Sequence, residues 1–95
     1  MAVVKVSLMG DFKRAAGTGE MEVEVPEGGT VLTVVEQVAA MGGSGLAQKL
    51  ITTDHRIKHG VFLFLDGKQI DTGGTLPSRM VVTGGEMEIM RLSAT

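Results

Sequence analysis

Ninety-five residues, 43% of them apolar and 21% charged, make one domain with one core. Domains typically run to roughly 100–150 residues, and a chain this short buries only about 60–65% of its unfolded surface, which leaves no room for an elaborate enclosed active site. Eleven acidic against nine basic side chains give a net charge of −2, which supplies no field for nucleic acid or an anionic membrane, and the lack of cysteine excludes disulfides, thiolate nucleophiles and Cys-held metal centres.

Val3 to Met9 alternate, with Val4, Val6 and Leu8 on one face and Lys5 and Ser7 on the other, the period of a half-buried strand. No basic leader or apolar run of the ~20 residues a membrane helix needs is present, so the sequence reads as cytoplasmic. Gly10 to Gly19 read as a loop. Glu20 to Val25 form a second strand, with Met21, Val23 and Val25 inward and three glutamates outward, a like-charge row that resists edge-to-edge pairing.

Pro26-Glu27-Gly28-Gly29 breaks that strand, and Thr30 is placed to cap a helix over Val31 to Met41. Its apolar stripe is Val31, Val34, Val35, Val38 and Met41, and Gly42-Gly43 ends it. The β-branched content requires packing to hold the helix. Leu46 to Ile51 suggest one further helical turn, and Thr52 to Gly60 a polar loop.

Val61 to Leu65, then Asp66-Gly67, then Lys68 to Asp71 read as a hairpin, because Asp-Gly supplies the positive φ angles of a tight turn. Residues 72–83 wander through Gly73-Gly74 and Pro77. Glu86 to Leu92 form the last strand, with Met87 and Ile89 toward the core.

Two strands, a helix, two strands and a final strand make an α+β domain of residues 1–95. One main helix covering one face of a mixed sheet of four to five strands fits the β-grasp, ubiquitin-like arrangement, in which the last strand returns beside the first. A ferredoxin-like fold would need two such helices.

In this order and spacing the sequence resembles the MoaD/ThiS group of ubiquitin-like sulfur carriers, which includes the molybdopterin synthase small subunit. The resemblance spans nearly the whole chain. It is carried by Phe12-Lys13-Arg14-Ala15-Ala16-Gly17, by Pro26-Glu27-Gly28-Gly29-Thr30-Val31 leading into the helix, by Leu65-Asp66-Gly67-Lys68 at the turn, and by Gly84-Gly85-Glu86-Met87-Glu88-Ile89 leading into the last strand. It implies a carrier that is not an enzyme and needs no cofactor. Such a carrier docks onto larger proteins of molybdenum or tungsten cofactor or thiamine biosynthesis: a ubiquitin-activating-type adenylyltransferase, or a synthase large subunit. It also implies a C-terminal carboxylate converted to a thiocarboxylate, a role that falls on Thr95.

The family ends in Gly-Gly, whereas this chain ends Leu92-Ser93-Ala94-Thr95. Glycine suits a terminus threading a narrow crevice because it carries no Cβ and samples φ values closed to other residues. The departure keeps an alternative open: a structural or regulatory β-grasp subunit without sulfur chemistry.

Other candidates read more plainly. The Gly pairs lack the P-loop spacing and are caps and turns. Asp54-His55-Arg56-Ile57-Lys58-His59 would place two imidazoles four apart if helical, but the intervening cations oppose a metal, so the segment reads as a solvated loop. With Lys49 and Arg79 it could form a local basic patch for steering an acidic partner. The strand from Val61 is apolar on both faces, and only one can meet the helix. A last strand beside it brings Phe62, Phe64, Met90 and Leu92 together, either under the 72–83 segment or as an exposed partner-binding patch.

Overall fold

The computed structural model describes residues 2–91. Five strands form one mixed sheet: β1 (Ala2–Leu8), β2 (Glu20–Val25), β3 (Val61–Leu65), β4 (Lys68–Ile70) and β5 (Gly85–Arg91), in the order β2-β1-β5-β3-β4. Only the central pair, β1 and β5, is parallel; the other three pairings are antiparallel. Among the described residues, no helix is long and apolar enough to cross a membrane.

The main helix, α2 (Val31–Gly42), lies on one face. Thr30 caps it as the sequence indicates. Its hydroxyl accepts from the Thr33 amide at 3.3 Å while its own amide donates to the Thr33 hydroxyl at 3.0 Å, so a second threonine completes the reciprocal box usually closed by Glu or Gln. Val31, Val34, Val35 and Val38 are fully buried against Val4, Val6, Val23, Val25, Leu63, Met87 and Ile89. Each fully buried side chain of this size contributes about 1.5–3 kcal/mol of transfer free energy, which outweighs the weak helix propensity of valine.

Several local expectations are corrected. Met41 is 57% exposed and Ala39 takes the buried place, because α2 ends at Gly43 and the chain turns directly into α3 (Ser44–Leu50). α3 is a full helix whose Leu46 and Leu50 are buried, more than the single turn expected. Gly10 to Gly19 contain the short helix α1 (Asp11–Ala16), closed by Gly17 in the left-handed region with its amide donating to Lys13 O at 3.0 Å. Phe12, fully buried, anchors it. The Arg14–Asp11 ion pair on its surface adds little. A one-turn helix, α4 (Leu76–Arg79), interrupts the 72–83 segment and buries Pro77.

The hairpin turn is as the sequence requires: Asp66 and Gly67 have φ of 51° and 84°. The turn also ties strands together, since the Asp66 amide donates to Glu86 O at 2.8 Å and its carboxylate accepts from the Glu86 amide at 3.0 Å. β5 is thereby held at its start, and the register of its alternating side chains is fixed.

Candidate functional site

Register decides what the uncovered face of the sheet presents. Val4, Val6, Leu8, Met87, Ile89, Val61 and Leu63 point into the helix layer and are almost wholly buried, so their sequence neighbours point out. Cross-strand partners then form rows. Glu22, Lys5 and Glu86 make one; Glu20, Ser7, Glu88, Phe64 and Gln69 make the next; Met90 and Phe62 make the last. Glu24 lies opposite Val3, which is 50% exposed.

Phe62, Phe64 and Met90 therefore stand together, as the strand alternation suggests, but each is half-buried rather than exposed. Leu92, expected beside them, and Thr95, the expected sulfur acceptor, lie outside the described residues. Backbone contacts place the end of the 72–83 segment. It runs to the helix side, where Val81 bridges to Thr30 and the Val82 amide donates to Gly29 O at 2.9 Å, leaving Val82 buried in the core. Its earlier part, Gly73, Gly74, Thr75 and Pro77, lines a groove together with Phe62.

The rows bring in residues that the sequence reading did not connect with the patch. Glu86 and Glu88 join Glu20, Glu22 and Glu24, so five of the chain's seven glutamates share one face with, among the described residues of these strands, a single cation, Lys5. The signal was present in β5, where Glu86 and Glu88 alternate with Met87 and Ile89, and in the last strand expected beside the first; what was missing was the register that sets Lys5 opposite Glu86 and Ser7 opposite Glu88. Among the described residues, neither ion pair involves this face.

The groove, of about 850 Å³, runs between residues 54–60 and 71–78. It holds Arg56 and Lys58 but also Asp54 and Asp71, so its fixed charges balance. Arg79 and Lys49 do not line it. His55 sits in a turn at φ 59°, its Nδ1 3.6 Å from Glu36 Oε2. The segment is not helical, which removes the i, i+4 chelating geometry, and no cluster of three metal-ligating side chains forms among the described residues.

No protein-family model matches the sequence, and no curated protein matches it. Solved structures do. Small archaeal modifier protein 1 of Haloferax volcanii superposes with a TM-score of 0.80 at 15% identity, with 98% of each chain covered. A Pyrococcus furiosus chain assigned as molybdopterin converting factor subunit 1 gives 0.72 at 19% identity, over 96% of this chain and 98% of that one. The BexX/CysO complex of Amycolatopsis orientalis gives 0.68 at 22% identity, over 97% and 98%. These are ubiquitin-like proteins of the MoaD/ThiS type, and at such identities the finding is one of architecture: the chain has their β-grasp fold.

Proposed function

We propose that the protein is a sulfur carrier of the MoaD/ThiS type. It works in the cytoplasm by docking onto a larger protein of molybdenum or tungsten cofactor or thiamine biosynthesis, and is not itself an enzyme. One observation supports this reading above the others: Phe62 pairs with Met90 and Val61 with Arg91, so the apolar patch adjoins the point where β5 hands on the chain to Leu92. Four residues of chain span at most about 14 Å. A protein seated on the patch would have the Thr95 carboxylate within that reach.

The chemistry would be the partner's. A carboxylate oxygen of Thr95 attacks the α-phosphorus of ATP, forming an acyl adenylate and expelling pyrophosphate; hydrosulfide then forms a C–S bond as the C–O bond to AMP breaks. This chain contributes the acyl group and the surface that places it. The test is intact mass after incubation with ATP, a hydrosulfide source and a purified ubiquitin-activating-type adenylyltransferase from the same source. The expected result is a gain equal to exchanging one oxygen for sulfur, lost with Phe62→Asp. An unchanged mass, with a Gly-Gly-ending carrier converted in parallel, would reject it.

Ala94 and Thr95 support a second reading, a β-grasp subunit that docks without sulfur chemistry, because each adds a side chain where the family has glycine. That reading predicts binding to the partner with no mass change.

A further inference from the structure

The open sheet face is charged as well as apolar, and the two properties are arranged rather than mixed. Five glutamates against one lysine give it a formal charge of −4, although the whole chain carries only −2, so everything outside this face is net positive. Strands lie about 4.8 Å apart, so Glu20, Ser7, Glu88 and Phe64 occupy one row roughly 15 Å long. Glutamates two apart along a strand, such as Glu20 and Glu22 or Glu86 and Glu88, are spaced by about 6.6 Å, inside the Debye length of about 8 Å at physiological salt, and act on an approaching molecule together. The acidic field therefore abuts the Phe62, Phe64 and Met90 patch along Glu88.

We infer that this face selects a protein partner whose surface carries arginine or lysine around an apolar hollow, the carboxylates steering it and the aromatic patch anchoring it. The inference rests on the docking reading above and adds the chemistry of what docks. A second copy of the chain does not fit, because stacking the face on itself opposes −4 with −4 and offers only one Lys5 per copy. Nucleic acid and anionic lipid are repelled by the same field. The balanced groove between residues 54–60 and 71–78 has no such preference of sign.

The test needs no natural partner. The probe is a short peptide of leucine and phenylalanine flanked by arginines, compared with a counterpart in which glutamates replace the arginines, each titrated into the isotope-labelled full chain at low salt. The arginine peptide should shift the amides of Lys5, Ser7, Phe62 to Phe64 and Glu86 to Met90, bind at least about tenfold more tightly than the glutamate peptide, and weaken as salt rises. The triple variant Glu20→Lys, Glu22→Lys, Glu88→Lys, checked for native amide dispersion, should invert the preference. Equal binding of the two peptides, shifts confined to the groove, shifts from neither peptide, or concentration-dependent shifts of the open face without peptide would each overturn the inference. The carrier reading stands or falls separately, on the mass gain.

Discussion

The two faces of the sheet are built from the same strands to opposite specifications. On β3, Val61 and Leu63 point into the helix layer and are almost wholly buried, whereas Phe62 and Phe64, one residue away, stay half-buried on the open side. On β5, Met87 and Ile89 are fully buried, and Glu86, Glu88 and Met90 are not. The covered face thus holds the fold, and the open face carries the surface to which we assign docking. A larger aromatic spent on the less buried side is the sign that burial in this chain alone is not what that side chain serves.

Substitutions separate the two roles. The largest stability effect is expected from Leu63→Ala, which empties a fully buried site and should cost about 2–5 kcal/mol in denaturant unfolding. Gly85→Ala tests what keeps the faces distinct. Gly85 has φ +100°, and a Cβ there would stand 2.7 Å from Asp66 Oδ1, so a loss of about 1–3 kcal/mol is expected, with weakened protection of the Glu86 amide in hydrogen exchange. Phe64→Thr keeps strand propensity and should cost about 1 kcal/mol, well below Leu63→Ala, while abolishing binding of the arginine peptide. A cost equal to that of Leu63→Ala would make Phe64 a core residue and erase the distinction. Smallest, Glu22→Gln should change stability by no more than about 0.5 kcal/mol and lower the salt dependence of peptide binding.

Period-two alternation made β1, β2 and β5 legible, and Asp66-Gly67 announced the hairpin of β3 and β4 with its turn type. Thr30 marked the start of α2. What escaped was structure created by tertiary contact. α1 has six residues, too few for a periodic pattern, and exists because Phe12 finds the core; α4 exists because Pro77 does. Met41 matched the helical stripe yet lies exposed, because the immediate turn into α3 ends the packed surface one turn early. The pairing of Phe62 with Met90 was readable once the last strand was set beside β3. The acidic array was not, even with the last strand expected beside the first, since it depends on the register that sets Lys5 opposite Glu86 and Ser7 opposite Glu88, across about eighty residues of sequence.

The parallel pairing of β1 and β5 also determines how the molecule bears load. β1 opens the described chain and β5 closes it, and they run side by side from Val4 opposite Gly85 to Leu8 opposite Ile89. A pull on the chain end beyond Arg91, opposed at the N-terminus, slides the two strands along each other, so the evenly spaced ladder bonds resist together rather than parting one by one. Force applied that way is shared along the whole ladder, from Val4 opposite Gly85 to Leu8 opposite Ile89.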